Sequence, residues 1–269
     1  MLISEKIRKT RNKLSSAWAK SFFWNAIYGG FSALESALIL LVAARTLDLS
    51  SAGIITFGFA VGNLAMVTAN YGIGTYQATD SHEVYSFTEY YLHRVLTVAG
   101  TLLIALVFLL TSYCAEKYSG YKAEVIGEII ILKLIDSFES LYTGRLQQKG
   151  RLDIGAKFAS IRLIASIAVI CAVLALSKNA VLSFLAGIIV SIVLDAVLLP
   201  KEQKYADIRI GKTDPERVEE LFRAGFPLCV GAALTNYMSI NKTPQYVIRD
   251  IYGVHSEKCP KDERKNYTS

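Results

Sequence analysis

"ILKLIDSFESLYTG", residues 131–144, lies in a run that otherwise reads as buried or lipid-facing, yet it carries Lys133, Asp136 and Glu139. An unpaired charge taken out of water costs several kcal/mol, so these side chains need partners or a hydrated cavity. On a helix turning ~100° per residue, with Glu128 at zero, Glu139 falls near ~20°, Thr143 near ~60°, Asp136 near ~80°, Ser140 near ~120° and Lys133 near ~140°. Ile130, Leu134, Phe138 and Leu141 fall on the opposite side. The segment is therefore a helix with one polar stripe, on which Lys133 and Asp136 pair at i, i+3. Such a stripe belongs against other helices or water, not against lipid.

The rest of the chain says what the surroundings are. Of 269 residues 52% are hydrophobic and 19% charged, with a mean hydropathy of +0.35; soluble domains carry about 25% charged residues. The apolar residues fall in blocks of about 17–25, the length that crosses a bilayer as a helix. The candidate spans are 21–44, 52–70, 95–114, 125–144, 158–176, 180–199 and 224–240. This is an all-α polytopic membrane bundle of about seven transmembrane helices. The basic first twenty residues precede an apolar block too long for a signal peptide, so the first helix is retained. Only "SKNA" separates the fifth and sixth spans, which makes them a tight antiparallel pair. With a cytoplasmic N-terminus, the inner side holds seventeen Lys and Arg residues and the outer loops four. That asymmetry is the positive-inside pattern.

Between the sixth and seventh spans, Asp214 precedes Pro215 as an N-cap, and Val218, Leu221 and Phe222 form an apolar face. The expectation is a short interfacial helix. The chain thus divides into a basic cytoplasmic segment (1–20), a six-helix bundle (21–199), a cytoplasmic loop with the interfacial helix (200–223), a seventh helix with an outer segment (224–253) and a polar tail (254–269). The tail, "HSEKCPKDERKNYTS" with its preceding residues, reads as disordered or as out-of-frame sequence. Asn241 and Asn266 match the glycosylation sequon, a weak signal.

Several function classes drop out. The basic residues lie between apolar blocks, where topology accounts for them, so no nucleic-acid partner is expected. Cys114, Cys171, Cys229 and Cys259 lack paired spacing, and the first three suit packing. His82, His93 and His255 have no metal-ligand spacing, and His82 and His93 read as part of a solvated loop. HExxH, GxSxG, P-loop and GxGxxG motifs are missing from any sensible context, so neither an enzyme nor a cofactor or metal site is expected. Polar faces remain. Ser21, Asn25, Tyr28, Ser32 and Glu35 share one face of the first span. Thr56, Asn63 and Asn70 recur every seventh residue in the second. Thr235 and Asn236 lie in the seventh, where Gly231 allows close packing. A single Asn or Ser is ordinary interhelical glue, and Gly29, Gly30, Gly58 and Gly62 ordinary packing. The ionisable set of the first and fourth spans reads instead as a hydrophilic pathway.

The sequence "SFFWNAIYGGFSALESALILLVAARTLDLSSAGIITFGFAVGNLAMVTANYGIGTYQATD" resembles the opening of the bacterial polysaccharide flippases, exporters of O-antigen and capsule repeat units related to the MATE exporters. "FESLYTGRLQQKGRLDIGAKFASIRLI" resembles their fourth helix, inner loop and fifth helix. "LFRAGFPLCVGAALTNYMSINKTPQYVI" resembles the start of their second half. The resemblance spans residues 15–253. It implies about a dozen helices in two bundles around a central cavity, alternating access, and a bacterial inner-membrane location. The implied partners are an undecaprenyl-diphosphate-linked oligosaccharide, membrane lipids and other polysaccharide-assembly membrane proteins. On this reading Lys133 attracts the diphosphate, and Asp136 and Glu139 hold Lys133 or bind sugar hydroxyls. Asn25, Glu35 and Asn63 line the same cavity, and Glu35 or Asp136 carries a coupling proton. The chain stops after the seventh helix where the family has a second bundle, so an incomplete fragment is expected. The alternatives are a MATE-like exporter of small cations, an integral-membrane sugar transferase, which the short outer loops disfavour, and a non-functional truncated membrane protein.

Overall fold

A computed structural model describes residues 2–80, 83–208, 211 and 213–241. The described residues form helices α1 (Leu2–Thr46), α2 (Leu49–Asn70), α3 (Ile73–Thr79), α4 (Phe87–Cys114), α5 (Gly120–Gln148), α6 (Leu152–Ser177), α7 (Ala180–Tyr205) and α8 (Pro215–Asn241). Each expected span is the apolar part of one long helix. Among the described residues, α1 from Trp18, α2, α4, α6 and α7 are long and apolar enough to cross a membrane. In α5 the charged stripe interrupts the apolar run, and in α8 charges crowd the first turns. Exposed leucine, isoleucine, valine and phenylalanine side chains cover the outward faces of α4 and α7. An outward apolar surface of this kind needs lipid as its solvent, and the chain is a multi-pass membrane protein.

Local signals set the helix ends. Ser86 and Glu89 form a reciprocal capping box at the start of α4. The side chains of Asp48, Ser119 and Asn179 cap α2, α5 and α7. Between α6 and α7, Lys178 takes the left-handed conformation and Asn179 accepts from the Leu182 amide at 3.2 Å. The chain reverses within two residues, as the "SKNA" spacing requires. Close packing follows at Gly187, where an added Cβ would lie 2.5 Å from Ile170 Cγ1.

Helix α5 runs through the middle, against α2, α4, α6 and α7, while α1 lies chiefly along α6. At one end, Ile39, Ile55, Phe59, Val125, Ile129, Ile170, Leu174 and Phe184 form the largest core cluster. At the other, Ile73, Tyr85, Phe87, Tyr90, Leu141, Tyr142 and Leu221 form an aromatic-rich one. This second end also holds the connection from α3 to α4. Asp80 accepts hydrogen bonds from the Val84 amide (3.0 Å), the Tyr85 amide (3.3 Å) and the Tyr90 hydroxyl (3.1 Å). Glu83 pairs with Arg145 at 3.1 Å and with Lys149, and Arg217 donates to the Val84 carbonyl at 3.0 Å. One loop is thereby tied to α5 and to α8.

Three expectations change. The 214–222 stretch is not a separate interfacial helix but the opening of α8. Asp214 still caps it, through the Glu216 amide at 3.1 Å, and Val218 and Leu221 are buried in the bundle. The segment between the second and third expected spans contains the seven-residue α3, too short for the hydropathy blocks to mark. His93 is not in a solvated loop but buried on α4, stacked 4.3 Å from Phe222. Gly58 and Gly62 pack against Ile129, whereas Gly29, Gly30 and Gly231 face open space. Cys114, Cys171 and Cys229 are free thiols. His82, His255, Cys259, the Asn266 sequon and the polar tail lie outside the described residues.

Candidate functional site

The stripe of α5 meets charges from three other helices halfway along the bundle. Lys133 Nζ binds a Glu35 carboxylate oxygen from α1 and Asp136 Oδ2 at 3.1 Å. The Phe59 ring lies 5.7 Å from the same ammonium. Gly62 makes room for the lysine stem, since a Cβ there would lie 3.2 Å from Lys133 Cγ. On the other side of Asp136 stands Arg162 from α6, which is 1% exposed. Its Nη2 donates to Asp136 Oδ1 at 2.7 Å and to Glu139 Oε2, and its Nε donates to Glu139 Oε2 at 2.7 Å. Asp195 of α7 approaches the same Nε at 3.4 Å. Four carboxylates therefore face two cations in a continuous network across α1, α5, α6 and α7, buried throughout except at the half-buried Asp195.

The i, i+3 pair of Lys133 and Asp136, and the inward aim of Glu35 and Glu139, follow the sequence reading. Asn25 and Asn63 do not join them: Asn25 is exposed on α1, Asn63 half-buried on α2. Asn70, the third residue of the Thr56–Asn63 series, is more central. Its Oδ1 accepts from Arg94 Nη1 at 2.6 Å, Ser137 Oγ at 2.8 Å and Ser140 Oγ at 3.3 Å. Arg162 and Asp195 belong to no polar series along the sequence, and Arg94 falls one residue before the expected 95–114 span. The signal for Arg162 and Asp195 is an ionisable residue alone in an otherwise apolar block.

Beside the network opens a cavity of about 300 Å³, lined by Tyr28, Asn70, Gly72, Gly74, Thr75, Glu139, Ser140, Thr143, Gly144 and Gln147. Its wall is made of hydroxyls, amides and glycine backbone, with Glu139 as the one carboxylate on it. A wall of this kind hydrogen-bonds neutral polar ligands and offers no nucleophile–base pair. Among the described residues no group of three or more His, Cys, Asp or Glu side chains is placed to hold a metal ion.

Residues 18–254 match the family described as "Polysaccharide biosynthesis protein". No curated protein matches the chain.

Proposed function

We propose that this chain, which belongs to the polysaccharide biosynthesis protein family, moves a lipid-linked oligosaccharide repeat unit across the bacterial inner membrane. The observation that carries the reading is the ionic network of Glu35, Lys133, Asp136, Glu139, Arg162 and Asp195 inside the bundle, beside a hydroxyl-lined cavity. Ionisable residues inside a membrane bundle are expensive to keep and mark solute paths. A polar cavity next to lipid shelters a sugar head-group while its isoprenoid tail stays in hydrocarbon. Ser140 and Gln147 supply hydrogen bonds for sugar hydroxyls without a fixed charge, which suits a neutral or variable glycan. The substrate of this reading is an undecaprenyl-diphosphate-linked oligosaccharide, destined for O-antigen, lipopolysaccharide or capsule.

The excess of carboxylates over cations gives the network a second task in the same cycle. Two negative charges remain uncompensated when all four acids are ionised. A proton or a monovalent cation entering the network relieves one of them, and its exit on the other side couples an ion gradient to the movement of the bundle. The same excess favours one rival reading, a MATE-like exporter whose cargo is itself an organic cation.

The test is retention of ligand by the detergent-purified protein in native mass spectrometry. Undecaprenyl-diphosphate oligosaccharide is offered together with tetraphenylphosphonium, a lipophilic cation. Binding of the lipid-linked saccharide, lost on Glu139→Gln combined with Ser140→Ala, is the expected result. Binding of tetraphenylphosphonium alone overturns the flippase reading in favour of the cation exporter.

A further inference from the structure

Glu139 belongs to two features at once. It is a member of the ionic network, and it is the one carboxylate on the cavity wall. Its two oxygens differ in their surroundings. Arg162 donates twice, through Nε and Nη2, and both bonds end on Oε2. Among the described residues no hydrogen bond ends on Oε1. The orphans nearby, Thr143 Oγ1 on the wall and Arg94 Nη2 behind it, are closed to water. Oε1 is unpaired and not closed in this way: it is the open oxygen of a side chain that lines the cavity.

The groups that share the wall are neutral. Three donors converge on Asn70 Oδ1, which fixes the orientation of that amide and leaves its NH2 group over. Tyr28, Thr75 and Gln147 add hydroxyls and a second amide, and among the described lining residues none is Lys, Arg or His. Charges beyond the wall do not reverse the sign. The network sets Glu35, Asp136, Glu139 and Asp195 against Lys133 and Arg162. Arg94 adds one cation, bonded only to the neutral Ala69 carbonyl, Asn70 and Ser137. With every acid ionised, a negative charge remains in excess, and it acts in a medium where charges reach further than in water. A carboxylate oxygen accepts hydrogen bonds from sugar hydroxyls and from an ammonium, and it repels a second carboxylate. Selectivity of this kind comes from excluding the wrong ligand as much as from holding the right one.

We propose that the cavity is a charge filter for the glycan: through Glu139 Oε1 it accepts neutral and amine-bearing sugars and rejects acidic ones, the uronic acids among them. The proposal rests on the transport reading above and narrows its substrate class. Arg162 positions the filter, since it holds one oxygen of Glu139 and leaves the other to the ligand. At about 300 Å³ the cavity is at the small end for ligand sites, so the choice falls on the single sugar that occupies it.

The test uses saturation-transfer NMR on the detergent-purified chain with three soluble probes that differ only at the exocyclic carbon: methyl glucoside with its hydroxyl, the amino-deoxy analogue with an ammonium, and methyl glucuronide with a carboxylate. The amino sugar is expected to bind best and the glucuronide worst, with at least about tenfold between them. Glu139→Gln is expected to bring all three within about twofold of one another, because it keeps an acceptor and removes the charge. Gln147→Lys puts a cation on the exposed rim of the cavity and leaves every bond of the network in place. It is expected to raise the glucuronide above the neutral glucoside, and it reads the filter even if Glu139→Gln fails to fold. Equal binding of the three probes by the wild-type protein, tightest binding of the glucuronide, or binding of none of them overturns the proposal. An order that survives both substitutions overturns Glu139 as its source. Failure of the transport reading shows separately, as absence of lipid-linked saccharide in the mass-spectrometric assay; a protein that retains that lipid but ranks the three probes alike loses the filter alone.

Discussion

Replacing Arg162 by methionine removes the hub of the network and keeps the length of its stem. Asp136 loses its 2.7 Å partner but retains Lys133, Glu139 loses both of its bonds, and Asp195 loses its 3.4 Å contact. Glu139 is then a buried carboxylate with no cation beside it. Removing one partner of a buried ion pair costs about 3–5 kcal/mol. Domains are stable by about 5–15 kcal/mol, so the variant loses a large share of its stability. The cost arises from the stranded charges rather than from lost packing. The combination Arg162→Met, Asp136→Asn, Glu139→Gln should therefore recover at least half of it, leaving Glu35 and Lys133 as a matched pair. Unfolding in mixed micelles, followed by far-ultraviolet circular dichroism, measures both. If the single substitution costs less than about 1 kcal/mol, or the triple variant is no more stable than the single, the network does not carry charge in the way its geometry indicates.

Three further outcomes are expected. A topology reporter fused after Lys178 should read the outer face and one after Lys212 the cytoplasm; the reverse at both positions refutes the orientation drawn from the Lys and Arg asymmetry. Gly187→Ala puts a methyl group 2.5 Å from Ile170 Cγ1, so it should destabilise the α6–α7 pair by about 1–3 kcal/mol, measured in the same micelles. The Lys149 hydrogen bond, and after it Arg145, hold the Glu83 carboxyl below its ordinary value of 4.5. A depressed folded-state pKa stabilises the fold above pH 4.5, and the gain is lost as the pH falls through the folded value. Glu83→Gln should abolish that part of the acid sensitivity, seen as converging melting temperatures of the two proteins at the lowest pH. The effect is small, about 0.2–1 kcal/mol, because the carboxylate is partly exposed to solvent screening.

The sequence discloses the site where charge recurs along one helix and hides it where charge is solitary. Lys133, Asp136 and Glu139 recur at helical spacing, so their common face and the 133–136 pair are readable before any fold is known. Glu35 is legible for the same reason, as the last member of a polar series on its helix. Arg162 and Asp195 each stand alone among apolar residues; nothing along the chain says that they converge, since that is decided by how α6 and α7 pack on α5. Asn25 shows the reverse error, since its spacing matches Glu35 but the turn on which it lies faces outward. Hydropathy leaves Arg94 outside the expected span, because the apolar block begins just after it, whereas the Ser86–Glu89 capping box starts the helix two turns earlier. Span ends set by hydropathy and helix ends set by capping are different boundaries, and the buried arginine falls between them.

Asn70 decides how the whole corner behaves electrically. One amide oxygen gathers Arg94, Ser137 and Ser140, and a carboxylate oxygen would accept the same three bonds. Exchanging the NH2 group of that side chain for an oxygen would leave the hydrogen-bond count untouched and supply the counter-ion that Arg94 lacks. The amide is also the better tenant of the last turn of α2, where the helix dipole is negative and a carboxylate is unwelcome. A single atom at position 70 thus sets whether the Arg94 guanidinium stands alone or in an ion pair. In any chain with this geometry, Asn or Asp at this position becomes a one-letter indicator of whether the buried guanidinium has a counter-ion.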